Sequence, residues 1–158
     1  MSKIFIATGS NIGDRLKNLN TCLNLIVEEN FKIIECSKVY ESPAVDYLEQ
    51  PDFLNQVCCI SDLNSRSPLE TLACFKAIEQ KMGRVKNIDK GPRNIDIDIL
   101  FFNTINFESD QLTLPHPGVY TRSFFAIPLN SLESFKEISR HFRIPDKFDN
   151  NCWVYKKS

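Results

Sequence analysis

A chain of 158 residues, 42% hydrophobic and 25% charged, has the composition of an ordinary folded globular protein and is long enough to bury a core. Its formal net charge of −1 supplies no global basic footprint for nucleic acid or for an anionic membrane, so any anion handling is local. No apolar run approaches the length of a membrane span, and Met-Ser-Lys leads straight into a strand-like run without a signal-peptide pattern. The expectation is one domain over residues 1–158 in the cytoplasm. Six cysteines (Cys22, Cys36, Cys58, Cys59, Cys74, Cys152) form no Cys-x-x-Cys pair, and only His116 and His141 could complete a metal site with them. They read as small buried hydrophobes in a reducing compartment.

Lys3 to Thr8 alternates as a strand and ends in Gly9-Ser10-Asn11-Ile12-Gly13-Asp14. Two glycines after a strand, without the Lys-Ser/Thr of a phosphate loop, favour a tight strand-to-helix turn capped by Asp14 or Asn11. Leu16, Leu19, Leu23 and Ile26 then recur at helical spacing to about Asn30. Phe31 to Glu41 reads as a second strand, broken by Ser42-Pro43 and followed by a loop from Ala44 to Asp52. In a third strand, Phe53 to Ile60, period two puts Phe53, Asn55, Val57 and Cys59 on one face. Asn55 therefore sits between apolar neighbours and needs partners for an acceptor and two donors. Either it makes a structural hydrogen bond to a neighbouring loop, or it recognises an amide-like or heteroaromatic edge beside an aromatic that can stack.

Ser67-Pro68-Leu69-Glu70 is a capping box with Pro at the first helical position. The helix it opens shows an apolar stripe of Leu69, Leu72, Phe75 and Met82 with Glu79 inside it, and Gly83 ends it. Glu79 either snorkels at the stripe's end or faces hydrogen-bond donors. Arg84 to Lys90 is a basic loop, either simply solvated or a lid over phosphates. Gly91-Pro92 turns the chain into Ile95 to Phe102, a near-continuous apolar strand interrupted by Asp96 and Asp98. Strict period two assigns Asp96, Asp98, Leu100 and Phe102 to one face and Ile95, Ile97, Ile99 and Phe101 to the other. Two carboxylates side by side either reach water at a strand end or share a cation, for which Mg²⁺ with phosphate co-ligands is the natural choice. Beyond a turn at Asn103, Pro115 and Pro117 hold His116 extended, so that its ring is aimed by the backbone rather than by packing. A helix is expected from about Val119 to Leu132, and Trp153 as core or cover.

Taken together, Gly-Ser-Asn at 9–11, Gln-Pro-Asp-Phe-Leu-Asn at 50–55, Gly-Arg-Val-Lys at 83–86, Gly-Pro-Arg-x-Ile-Asp-Ile-Asp-Ile-Leu at 91–100 and Leu-Pro-His-Pro with Arg-x-Phe at 114–124 resemble one family. It is the 6-hydroxymethyl-7,8-dihydropterin pyrophosphokinase family of folate biosynthesis, and the resemblance covers nearly the whole chain, the C-terminal quarter matching only weakly. It implies an α+β fold with a ferredoxin-like βαββαβ core and C-terminal additions, transferring pyrophosphate from ATP to the pterin hydroxymethyl group and releasing AMP. Asp96 and Asp98 would hold two Mg²⁺ ions, with Arg84 and Arg93 as the other catalytic groups. ATP would be met by Glu79, Lys86, Arg93, Ile99, Thr113, His116 and Arg122. The pterin would be met by Ser42, Pro43, Ala44, Val45, Phe53, Asn55, Asp96 and Phe124. ATP and the pterin would be the only partners of a monomer, without nucleic acid or membrane. Where the family usually carries Arg-Trp before Gly-Pro-Arg, this chain has Asp89-Lys90 in a loop one residue shorter, losing an aromatic cover and one guanidinium fork. Lys86 stands where Arg is frequent. Two competing readings are another Mg-dependent phospho- or nucleotidyltransferase and a non-catalytic ferredoxin-like ligand-binding module.

Overall fold

The computed structural model describes residues 2–44, 49–83 and 94–156. In chain order these form β1 (Ile4–Ser10), α1 (Arg15–Glu28), β2 (Phe31–Cys36), β3 (Tyr40–Ser42), β4 (Phe53–Asp62), α2 (Pro68–Lys81) and β5 (Asp96–Phe102). There follow β6 (Phe107–Glu108), β7 (Thr113–Leu114), a 3-10 turn at Pro117–Tyr120, α3 (Ser123–Asn130), a second 3-10 turn at Glu133–Phe135, α4 (Lys136–Ser139) and β8 (Trp153–Val154). One antiparallel sheet runs in the order β5-β1-β4-β3-β8, and β2 pairs with β4 as well. β6 and β7 make a separate two-stranded ribbon.

Both faces of the sheet are covered, which is why its central strands carry apolar residues at successive positions, Ile4 to Ala7 on β1 and Val57 to Ile60 on β4. On one face, Leu19, Cys22 and Ile26 of α1 and Phe75 and Ile78 of α2 pack on Ile4, Ile6, Leu54, Cys58, Ile60, Ile97 and Ile99. On the other, Phe124, Phe125 and Leu129 of α3 and the Phe135 and Ile138 layer pack on Phe5, Ala7, Val57, Cys59, Leu100 and Phe101. Phe5, Phe101 and Phe135 meet there with ring centroids 5.1 to 6.4 Å apart. The C-terminal layer is tied to the sheet by Glu35, whose carboxylate accepts from the Ser134 N–H at 2.8 Å, the Ser134 hydroxyl at 2.7 Å and the Glu133 N–H at 3.0 Å. These bonds, the Ser134 N–H foremost, hold the Glu35 carboxyl below the usual range.

The helix starts follow the sequence. Asp14 caps α1 by accepting from the Lys17 N–H, and Ser67 with Glu70 forms the capping box of α2. Elsewhere the structure corrects the expectations. The second strand is two: at Ser37 the N–H still donates to Val57 O at 2.8 Å, but the Val57 N–H goes to the Ser37 hydroxyl at 3.0 Å instead of its carbonyl, and the ladder stops there before β3 begins. Two β-bulges re-phase the strands. Phe5 pairs with Phe101 and Ile6 with Ile99, so Leu100 is an extra residue, and Leu100 and Phe101 both enter the second core while Phe102 turns to the first. The assignment of Phe101 and Phe102 by strict alternation is thereby reversed. Ile33 pairs with Ile60 and Glu35 with Cys59, so Ile34 is likewise extra, and the shift sends Glu35 to Ser134.

Leu69, counted in the apolar stripe of α2, is 38% exposed in its first turn, whereas Ile78 is buried. The helix expected over Val119 to Leu132 is divided by Thr121 and Arg122 into the 3-10 turn and α3. Trp153 is neither core nor cover: it is 44% exposed on the outermost strand, its Nε1–H donating to Glu41. All six cysteines are free thiols.

Phe75 lies 5.4 Å from Phe31 and is 1% exposed. Phe75→Ala will cost about 3–5 kcal/mol in urea unfolding, and Leu69→Ala about 0.5 kcal/mol or less. Equal losses from the two variants would contradict this packing.

Candidate functional site

Register across three strands sets the spacing of the site. Asp96 is partnered with Gly9, Gly9 with Asn55 and Asn55 with Tyr40, in one row across β5, β1, β4 and β3. With about 4.8 Å between neighbouring strands, the Asp96 and Asn55 backbones stand roughly 9–10 Å apart. Asp98 is opposite Ala7, one repeat further along the same face. On β1 that face runs Phe5, Ala7, Gly9: the first two are packed in the second core, and the third has no side chain. A Cβ on Gly9 would stand 3.4 Å from Asn55 Oδ1 and 3.6 Å from the Phe53 ring. These are ordinary contact distances; the buried Gly9, with no side chain of its own, is a bare floor with the carboxylates on one side and Asn55 with Phe53 on the other.

Asn55 is 4% exposed and its Nδ2 donates to Ser42 Oγ at 2.8 Å, Ser42 being buried opposite Phe53 on β3. The amide nitrogen therefore makes the structural bond, while Oδ1 borders the gap over Gly9. Beside it Ala44 is buried and Pro43 exposed, and Phe53 is half-buried. α3 packs against β4 and β3, bringing Phe124 to this side of the sheet. The Phe124 ring meets Phe125 edge-on at 5.1 Å, and the Arg122 guanidinium lies over both, 5.9 and 5.4 Å from their centroids.

On the carboxylate side, His116 Nε2 is 3.7 Å from Asp98 Oδ1. The His116 backbone is extended, as its flanking prolines require, and its N–H donates to Leu100 O at 2.9 Å, so the bulged residue's carbonyl anchors it. Packing also takes part: Nδ1 accepts the Gly118 N–H at 2.9 Å and the ring stands edge-on to Phe125 at 5.3 Å. Alongside the free edge of β5 a cleft of about 240 Å³ is lined by Ile97, Asp98, Ile99, Thr113 and His116. Glu79, 6% exposed, does not snorkel: its Oε2 accepts the Ile97 N–H at 2.9 Å and pins the backbone between the two aspartates from the helix side.

Arg84, Lys86, Arg93 and Val45, all expected to contact ligands, lie outside the described residues, as does the Asp89-Lys90 segment. The two stems of residues 84–93 are joined, Asn94 Nδ2 donating to Met82 O. Two contributors were not assigned from sequence. One is the Gly9 floor. The other is a lock in which Asn11 Nδ2 donates to Gln50 Oε1 at 2.7 Å and to Pro51 O at 3.1 Å, fastening the turn after β1 to the chain entering β4. Arg15 reinforces it, donating to Glu41 at 2.6 Å and to Asp52 O at 3.1 Å. The Gly-Ser-Asn and Gln-Pro-Asp motifs were the available signal.

Among the described residues no group of three or more His, Cys, Asp or Glu side chains forms a metal cluster. Two carboxylates on one face, half-buried beside the Gly9 floor, are nevertheless a donor set that suits Mg²⁺, which is held by one or two carboxylates and completes its shell with phosphate and water oxygens. No helix among the described residues is long and apolar enough to cross a membrane.

Residues 5–134 match the family model of 7,8-dihydro-6-hydroxymethylpterin-pyrophosphokinase. A Bacillus subtilis protein named 2-amino-4-hydroxy-6-hydroxymethyldihydropteridine pyrophosphokinase is 40% identical over 126 residues, 79% of this chain and 74% of that protein. The folic acid synthesis protein fol1 of Schizosaccharomyces pombe is 40% identical over 129 residues, 81% of this chain but only 17% of that much longer protein. Among solved structures, an HPPK-DHPS in complex with substrates superposes with a TM-score of 0.65 at 19% identity, covering 90% of this chain and 42% of that one, a likeness of fold. The chain belongs to the 7,8-dihydro-6-hydroxymethylpterin-pyrophosphokinase family.

Proposed function

We propose that the chain transfers the terminal pyrophosphoryl unit of ATP to the hydroxymethyl oxygen of 6-hydroxymethyl-7,8-dihydropterin, releasing AMP, as a step of folate synthesis. The observation that carries this reading is the row in which Asp96 and Asp98 share a sheet face with Asn55 and Phe53 across the bare Gly9. A flat, amide-edged ligand fits between Phe53 and Phe124 with its edge at Asn55, and its hydroxymethyl group then points toward the carboxylates. Ser42, Pro43 and Ala44, with Val45 beyond the described residues, complete that pocket. The strand order, with β2 and β3 together filling one position, supports a ferredoxin-like βαββαβ core followed by C-terminal additions. The same reading covers a single domain over 1–158, acting as a cytoplasmic monomer on its two small substrates.

In the reaction, the pterin oxygen forms a bond to the β-phosphorus of ATP, the bond from that phosphorus to the oxygen bridging to the α-phosphate breaks, and the hydroxyl proton is lost. Negative charge spreads over the phosphate oxygens, so catalysis calls for positioning and cations more than for a covalent protein intermediate. Asp96 and Asp98 would hold Mg²⁺, two ions in this reading, which supplies charge neutralisation at the phosphates when bound. Glu79 fixes the strand between them, and Ile99 and Thr113 border the cleft that suits the nucleotide. His116, beside Asp98, and Arg122 face phosphate oxygens, joined by Arg84, Lys86 and Arg93 from outside the described residues.

Chromatography of the nucleotide products from ATP, Mg²⁺ and the reduced pterin tests the proposal. AMP will form only when pterin and Mg²⁺ are both present; ADP would mark an ordinary kinase, and pterin binding without turnover a ligand-binding module. Asp96→Ala and Asp98→Ala will each lower turnover on the order of 10²-fold or more, through lost charge stabilisation. Calorimetry with the pterin will show Asn55→Ala weakening binding by about 1–3 kcal/mol, and an unchanged affinity in a folded variant would leave Asn55 a purely structural residue.

A further inference from the structure

We propose that Cys36 and Cys58 form a reversible dithiol–disulfide couple, a redox modification site joining β2 to β4. The two residues are direct partners in the antiparallel register, Cys36 at the end of β2 and Cys58 in the middle of β4. The next position toward β3 is hydrogen-bonded, Ser37 N–H donating to Val57 O at 2.8 Å, so Cys36 and Cys58 occupy the alternate, non-hydrogen-bonded position where strands bring facing side chains closest. Both side chains point into the core under α1 and α2, and their sulfurs stand 2.6 Å apart, closer than two separate thiols pack. The pairing depends on the bulge at Ile34: without the extra residue Cys36 would face away from Cys58.

The two thiols differ in the way an exchange reaction needs. Cys36 is half-buried at the end of β2. Cys58 is fully buried in the middle of β4, so Cys36 is the thiol that meets an external oxidant first. The other cysteines are excluded by place. Cys22 is buried beneath the same face with its thiol pushed up to about 12, by burial first and by the Glu79 carboxylate second. Cys59 points into the opposite core, where Cys152 also packs, and Cys74 is on α2.

A low-molecular-weight disulfide such as oxidised glutathione is the oxidant. The Cys36 thiolate attacks one of its sulfurs, forming a mixed disulfide and releasing one glutathione thiolate. Cys58 then gives its proton to solvent, its sulfur bonds to that of Cys36, the Cys36–glutathione bond breaks and the second glutathione thiolate leaves. The protein loses two electrons and two protons, and the glutathione disulfide becomes two thiols.

The test incubates the full chain with oxidised glutathione and follows it by intact mass and peptide mapping, with circular dichroism reporting the native sheet. The expected product has lost two hydrogens, links the Cys36 and Cys58 peptides, and returns to the dithiol with dithiothreitol. Cys36 will react about tenfold faster than Cys74 or Cys152. Cys58→Ser will stop at the glutathione adduct on Cys36, and Cys36→Ser will form no intramolecular link. Native wild-type protein that stays fully reduced, that accumulates only glutathione adducts, or that links Cys74 or Cys152 at least as readily would overturn the proposal.

Discussion

The antiparallel register of β5, β1 and β4 is the constraint on which the site depends. Because it aligns Asp96, Gly9 and Asn55 in one row, two acidic groups and one amide come to opposite sides of a bare stretch of sheet, although they are far apart in the chain. Everything around that row fixes its parts. Glu79 holds the Ile97 N–H, Ser42 holds the Asn55 amide nitrogen, and the Leu100 carbonyl holds His116. A slip of one residue in either ladder would turn the aspartates or the amide into the opposite core. The packed face that prevents such a slip, from Phe5 and Ala7 to Val57 and Leu100, leads along β1 into the Gly9 floor. Core and site are two ends of one surface.

Much of this was legible in the sequence because the physics involved is local. Capping residues marked both long helices, and alternation put Asn55 with Phe53 and Asp96 with Asp98 on common faces, where the structure has them. What alternation misses is the residue that breaks it. Leu100 and Ile34 carry no glycine or proline to announce a bulge; each is placed by the partner strand and by the helices that cover the sheet. The same holds for Ser37, whose hydroxyl stands in for a ladder partner, and for Leu69, exposed in the first turn of α2 although its spacing puts it in the stripe. Gly9 was visible as a turn former, but its service as empty space requires knowing that Asn55 and Phe53 lie beside it.

The two bulges shape the candidate site as well as the fold. The one at Leu100 ends the acidic part of β5 and returns Phe102 to the first core, while its carbonyl is left to anchor His116 next to Asp98. The one at Ile34 sends Glu35 outward, where it binds the chain at Glu133 and Ser134 and so secures the layer that carries α3, with Phe124 and Arg122, over the sheet. The position of an aromatic ring beside the Gly9 floor is thus governed partly by a carboxylate on a distant strand.

The outermost strand carries a consequence for synthesis. β8 pairs with β3, and Trp153 reaches back over a separation of 112 residues to Glu41, the residue that also receives Arg15. During translation β3 can join β4 as soon as both have emerged, but its other edge stays uncovered until the segment around residue 153 has left the ribosome. That edge leads directly into Ser42 and the pocket around Asn55. The edge beside Ser42 therefore stays open while the 112-residue stretch between Glu41 and Trp153 is being synthesised.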